Sequence, residues 1–347
     1  MLRMNPEETF HRMMQMLMFT LLLFFGISPL ALAGDFEDGV TAYDHRDYTT
    51  AMQKFRQAAE QGHAEAQYWL GWMHNTGNGA PQDDQEAVRW WKQAAEQGHA
   101  SSQTGLGAMY ARGQGVLQDF NEAMRLFLLA AEADDWAQYN IGRMHANGNG
   151  VTQDLKKAVH WYTKAAEAGH ATAQYTLGVI YDNGKGVPQD LKKAVHWYTK
   201  TAEQGNVKAQ YNLGVIYHKG DGVTQDLKKA VHWYTKAAEQ GDAKAQFGLG
   251  WMYDTGEDVL QDLKKAALWY TKAAERGHMT AQYTLGMMYN NGNGVPKDYV
   301  LSHMWLSLAA AGGSKPAIEF RDKVISVLTP EQIAESNRLT HEWQATH

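Results

Sequence analysis

An all-α fold, a right-handed α/α solenoid of helix pairs stacked in tandem, is what this sequence predicts, and three observations predict it. The dipeptide Leu-Gly returns at Leu70-Gly71, Leu106-Gly107, Leu177-Gly178, Leu213-Gly214, Leu249-Gly250 and Leu285-Gly286, with Ile141-Gly142 as a variant. The spacing is 36 residues, broken by one step of 35. A fixed period of that length marks stacked supersecondary units rather than a globular domain around a cleft. Between these landmarks apolar residues recur at helical spacing. Glycine is frequent (33) and proline rare (7), which suits many helices separated by glycine turns.

The chain begins with an address. Residues 13–33 carry no charge, and the stretch 16–27 (MLMFTLLLFFGI) is apolar apart from Thr20 and Gly26. Arg3 and Arg12 precede it, Pro29 breaks it, and Ala31-Leu32-Ala33 places small residues where a signal peptidase reads. These are the parts of a secretory signal, cleaved between Ala33 and Gly34. The stretch of 12 is short against the roughly 20 residues of a membrane span. An uncleaved inner-membrane anchor is the alternative, since 21 uncharged residues can just cross. Cleavage predicts a periplasmic or secreted bacterial protein. Glu7 and Glu8 are unusual in such a leader, which points to Met4 or Met13 as other possible starts.

Residues 34–62 read as a degenerate leading helix pair whose second helix carries Ala51, Phe55, Ala58 and Ala59 on one face. The regular units follow, and residues 171–205 show how one works. In ATAQYTLGVIYDNG, Ala173, Leu177, Ile180 and Tyr181 share a helical face. The GKGVPQ stretch then breaks the helix. Asp190 sits where an N-cap accepts hydrogen bonds from free amides. In LKKAVHWYTKTAEQG, Ala194, Trp197, Tyr198 and Thr201 form a second apolar face, and Gly205 ends that helix in the left-handed region. Gly178 lies inside the first helix, where glycine costs about 1 kcal/mol relative to alanine. Its recurrence predicts a close crossing in which Trp197 or Tyr198 covers bare backbone. Two units depart from the pattern: Asp134-Asp135-Trp136 replaces a glycine turn one residue short, and Asp258 replaces the second glycine of GxG. Residues 313–347, with a fresh helix start at Thr329-Pro330-Glu331-Gln332, read as the closing cap such arrays require.

The combined pattern AxAQYxLGxxYxxGxGVxQDxxKAxxWYxKAAEQG resembles the Sel1-like repeat family, a TPR-like class of helix-pair solenoids. The match covers seven units over residues 63–312. That resemblance implies an assembly platform that binds a protein, peptide or cell-envelope ligand and needs no cofactor. It also allows a cell-wall or β-lactam hydrolase as the alternative, since some Sel1-like proteins are linked to β-lactams.

Composition narrows the chemistry. Net charge is −6 with no basic segment, so the cationic footprint of a nucleic-acid binder is missing. Without cysteine there is no thiol catalysis, disulfide or cysteine zinc site. The glycine loops lack the Lys-Ser/Thr of a P-loop, and no GxSxG, HExxH or SxxK is present. His160, His196 and His232 recur at one repeat position, but rings on successive helices some 8–10 Å apart do not converge on one metal ion. His160 shares its face with Lys157, Lys164 and Glu167, a solvated stripe. We therefore expect no metal and no catalytic residue.

What varies between units is the better guide to a site. Residues at −2, +2, +5 and +9 from the repeated glutamine line one stripe of each first helix. They read Glu65-Trp69-Trp72-Thr76, Ser101-Gly105-Ala108-Arg112, Trp136-Asn140-Arg143-Asn147 and Thr172-Thr176-Val179-Asn183, then Lys208-Asn212-Val215-Lys219, Lys244-Gly248-Trp251-Thr255 and Thr280-Thr284-Met287-Asn291. Packing residues hardly change while this stripe changes freely. Such first helices line the concave face of related solenoids. The candidate binding residues are thus Trp69, Trp72, Arg112, Trp136, Asn140, Arg143, Asn212, Trp251 and Met287, types that anchor interfaces. Drift on an exposed face, or packing between repeats, is the competing explanation for the tryptophans.

Overall fold

The structure, a computed structural model, describes residues 29–257 and 259–346, with side chains from Gly34 onward. The apolar leader and Asp258 lie outside the described residues. Eighteen α-helices and no strand occur among the described residues. They form two compact units, divided between His170 and Ala171.

The first unit contains α1 (Pro29–Asp44), α2 (Tyr48–Glu60), α3 (Ala64–Thr76), α4 (Asp84–Glu96), α5 (Ala100–Arg112), α6 (Phe120–Ala130), α7 (Asp135–Asn147) and α8 (Leu155–Glu167). The Ala33–Gly34 junction falls within α1. The second unit contains α9 (Ala171–Asn183), α10 (Leu191–Glu203), α11 (Val207–Lys219), α12 (Leu227–Glu239), α13 (Ala243–Thr255), α14 (Leu263–Glu275), α15 (Met279–Asn291), α16 (Tyr299–Ala311), α17 (Lys315–Ile325) and α18 (Pro330–Thr346). Within each unit the helices pair in sequence order, and each second helix also packs on the first helix that follows it. This is the α/α architecture the period predicts.

The loop inside a pair is set by three side chains or backbone groups that answer orphaned helix ends. At the end of α11 the chain turns at Gly220, whose φ of 73° L-residues rarely adopt and whose N–H donates to Ile216 O at 2.9 Å. Gln225 Nε2 then donates to His218 O at 2.8 Å, satisfying a terminal carbonyl. Asp226 donates its own N–H to Tyr217 O at 3.0 Å, and its Oδ1 accepts from Lys229 N at 3.0 Å to start α12. Asp190 does the same for α10, as its position predicts. The Gln-Asp dipeptide therefore closes one helix and opens the next. The repeated Ala-Gln dipeptide has a matching task between pairs. Gln210 Nε2 donates to Ala202 O at 3.0 Å, and Gln246 Nε2 to Ala238 O at 3.0 Å.

The mid-helix glycines are explained by close crossing. A Cβ added at Gly214 would lie 2.5 Å from the Tyr234 ring, and at Gly142 2.7 Å from Tyr162. Tyr198 is the residue that covers Gly178, which decides between the two aromatics the sequence offered. The tryptophan one position earlier serves elsewhere: Trp233 joins an apolar cluster in which Ala194, Tyr198 and Ala202 of α10, in the pair before, meet Leu213 and Ile216 of its own partner α11. In the pairs of Gly142, Gly178, Gly214 and Gly250 tyrosine thus locks the crossing, while Trp91, Phe127 and Leu306 take that place over Gly71, Gly107 and Gly286.

The irregular turn at 131–135 is built without glycine. Helix α6 stops at Ala130, and Asp134 Oδ1 caps α7 by accepting from Ala137 N at 2.9 Å. The histidines after the glycine caps also have a use. His63 and His278 each accept from the backbone N–H three residues on, at 3.2 Å, and so act as N-caps. At the chain's end Thr329 and Gln332 form a reciprocal capping box that starts α18. That helix packs on α16 through Trp343, 6.5 Å ring to ring from Trp305.

Candidate partner-binding face

Every described stripe position on α3, α5, α7, α9, α11, α13 and α15 is half-buried or exposed, and none is buried. The core positions beside them, Leu70, Ile141, Leu177, Leu213, Leu249 and Leu285, are fully enclosed. Helical periodicity produces this split, because −2, +2, +5 and +9 from the glutamine fall away from the face that meets the second helix.

The candidate residues do not form one site. Trp69 and Trp72 lie 6.0 Å apart, ring to ring, and both meet Tyr43 of α1, at 5.0 and 5.7 Å. Trp69 also stacks on Phe55 at 5.7 Å. These two tryptophans therefore contribute to the packing of the leading pair as well as to the face. Trp136 is 57% exposed and sits edge-on to His170 at 4.5 Å. Burial lowers the pKa of His170 from the ordinary imidazole value.

Arg112, Asn140 and Arg143 come together. With Ala108 and Asn147 they line a small cavity of about 60 Å³ between α5 and α7. Asn140 Nδ2 is tied to Trp136 O at 2.9 Å, leaving its Oδ1 toward Arg143 at 3.4 Å. In the second unit Asn212 lines a separate concavity of about 480 Å³ with Val215, Lys219, Asp182 and Tyr211. The Tyr198 hydroxyl donates to Asp182 Oδ2 at 3.1 Å nearby. Burial and the Asp182 carboxylate together push that phenol far above its ordinary pKa. Trp251 lies edge-on to His218 at 5.2 Å, and Met287 is half-buried.

Asp182 and Tyr211 were not picked out from the sequence. Both sit next to stripe positions, and a wider stripe would have included them. A larger concavity, about 710 Å³, lies away from the stripe, lined by Lys272, Arg276, Glu239, Glu275, Gln246 and Trp343. No sequence signal marked it, because it depends on where α18 docks.

His160, His196 and His232 are exposed on the second helices, each beside the tryptophan that follows it. Among the described residues no three His, Asp or Glu side chains gather as metal ligands. Among the described residues His99 Nδ1 lies 3.0 Å from Ser102 Oγ and its Nε2 2.9 Å from Glu65 Oε2, but Ser102 is fully buried and its backbone N–H is what that ring caps. A second Ser–His contact runs from His303 Nδ1 to Ser336 Oγ at 2.8 Å, between residues 3% and 0% exposed. It fastens α18 to α16 rather than presenting a nucleophile to solvent. No helix of the described residues is long and apolar enough to cross a membrane.

Comparison with known proteins agrees with this architecture. The Sel1 repeat family model matches residues 37–63, 64–99, 100–135, 137–170, 171–206, 207–242, 243–278 and 280–314, the first of these on the leading pair. A Sel1 repeat protein from Oxalobacter formigenes is 36% identical, with 84% of this chain and 87% of that one covered and a TM-score of 0.62. A protective antigen with the same repeat fold, c5321 of uropathogenic Escherichia coli, is 30% identical over 90% of this chain and 91% of its own, with a TM-score of 0.43. No curated protein matched the chain. With eight matched segments running from the leading pair to the last regular one, and helices paired within each unit as that repeat requires, this chain is a member of the Sel1 repeat family.

Proposed function

We propose that this chain is a non-enzymatic scaffold that holds a protein or peptide partner on the outward stripe of its first helices. Sel1-repeat proteins are in general protein-interaction scaffolds, which supports the broad reading. The observation that carries the finer one is the split between positions. Enclosed residues repeat almost unchanged, while the never-buried stripe carries a different set in each unit, including Trp136, Arg143, Asn212 and Trp251. A face whose positions are never fully buried, and which is rich in aromatic, Arg and Asn side chains, has the composition of an interface core. The leader pattern at 1–33 supports placing the scaffold in the periplasm or outside the cell.

Site-specific photo-cross-linking in the native host tests this. A photoreactive residue at Trp136, Asn212 or Met287 should give a discrete adduct. The same residue at His160, His196 or His232, exposed on the second helices, should not. Equal labelling from both faces, or no adduct from the stripe, would overturn the proposal.

A further inference from the structure

The cavity between α5 and α7 has an unusual charge balance. Its lining includes two cations, Arg112 and Arg143, three asparagines, Asn140, Asn147 and Asn149, and no carboxylate. The chain as a whole carries a net charge of −6, so a patch without an acid runs against its composition. The ion pairs of this unit among the described residues use Lys54, Arg89, His99, Arg125 and Lys157, not Arg112 or Arg143.

Neither guanidinium meets a carboxylate among the described residues: Arg112 reaches Gln114 Oε1 at 3.5 Å, and Arg143 reaches Asn140 Oδ1 at 3.4 Å and stands 6.0 Å from the centroid of the Tyr139 ring. A guanidinium offers five N–H donors in a planar fork that matches a carboxylate. Most of those donors point to solvent here, since both arginines are exposed. A dipole explanation covers only one of them. Arg112 is the last residue of α5, where a cation favours the helix carbonyl end, but Arg143 stands in the middle of α7. Size narrows the ligand further. A volume of about 60 Å³ admits a single small polar group, far below the roughly 300–1,000 Å³ of a small-molecule site.

Resting on the scaffold reading above, we propose that Arg112 and Arg143 together grip a Glu or Asp side-chain carboxylate in an acidic stretch of the partner peptide. Asn140 and Asn147 flank the grip on α7, and the peptide runs across α5 and α7. Trp136, one turn before Asn140, stands exposed beside that path.

The test is fluorescence anisotropy with a short Glu-rich peptide blocked at both ends. The full chain should bind it with an affinity that falls as salt rises, and should not bind the Gln-rich counterpart. The double variant Arg112→Gln/Arg143→Gln should weaken binding at least about tenfold, with its circular dichroism unchanged. The Arg112→Lys/Arg143→Lys variant should recover only part of that loss, because lysine keeps the charge and loses the fork. Arg89→Gln/Arg125→Gln, on the second helices, should leave binding intact. The proposal is overturned if the Glu-rich peptide does not bind, if the double variant binds it equally well, or if the Arg89/Arg125 variant loses as much. A peptide with a free C-terminus that binds much more tightly than the blocked one would also overturn it, by placing a terminal carboxylate in the grip. Persistence of stripe cross-links alongside any of these results would sink the acidic-peptide inference alone and leave the scaffold reading intact.

Discussion

The amide of a repeated glutamine shows what a single changed residue does to this fold. In most units its Nε2 caps the preceding helix, and in three its Oε1 accepts from a second glutamine thirty positions on. Gln67 accepts from Gln97 at 2.8 Å, Gln174 from Gln204 at 3.1 Å, and Gln210 from Gln240 at 2.8 Å. Where that second position is Ala168 or Arg276, the oxygens of Gln138 and Gln246 are buried without a hydrogen bond. The Gln246 amide cannot be flipped to escape this, since its nitrogen donates to Ala238 O. A buried acceptor left unmade costs about 1–3 kcal/mol. We therefore expect Arg276→Gln to complete the ladder and stabilise the second unit by about 1 kcal/mol. Urea unfolding at constant slope should show the midpoint rise, and adding Gln246→Ala should cancel the gain. None of this was legible from AAEQG as a motif. The partner of its glutamine lies thirty residues upstream, beyond the reach of a local pattern.

At the scale of the helix pair, the crossing of glycine and aromatic is the main lock. The sequence disclosed it well: a glycine repeated at the cost of helix propensity required something to occupy the freed space. Which aromatic occupies it was not readable, because neighbouring Trp and Tyr differ by about 100° around the helix and either face could have turned inward. The rigid ring cannot yield as a flexible side chain would. Gly214→Ala, whose new methyl would fall 2.5 Å from Tyr234, should therefore destabilise by about 1–3 kcal/mol, although alanine is the better helix former. A thermal midpoint unchanged or raised would show that the pair opens more easily than its geometry indicates. The stripe was equally legible as a set of positions, since helical spacing alone decides which residues avoid the core. Its division into an aromatic cluster around Trp69, an arginine cavity and a tyrosine-lined concavity was not. That depends on side chains from neighbouring helices, such as Tyr43, Phe120 and Asp182.

Over the whole chain, burial acts in one direction on many histidines. His63, His74, His145, His170, His278 and His303 are all held below the ordinary imidazole value of 6.5, with desolvation the leading cause in each. In the folded state they stay neutral where the unfolded chain would bind protons, so stability rises with pH through this range. That contribution is complete above pH 6.5 and is lost as pH falls through the lowered folded values. Melting temperature should be level near neutrality and begin to drop below about pH 6.5, well before the N-cap aspartates titrate. A profile that stays flat to pH 5 would contradict this. The aspartates add a second, later loss, since Asp154, Asp226 and Asp262 are lowered by backbone amides they cap.

Helices α8, α10 and α12 carry almost one sequence, LKKAVHWYTKAAE with a single Thr for Ala, and each is entered by an aspartate and left by a glycine. Identical joints make the chain extensible by whole modules. Duplicating or excising one hairpin in the gene preserves every splice, so such a lineage can lengthen or shorten its reach in discrete steps while never redesigning a joint.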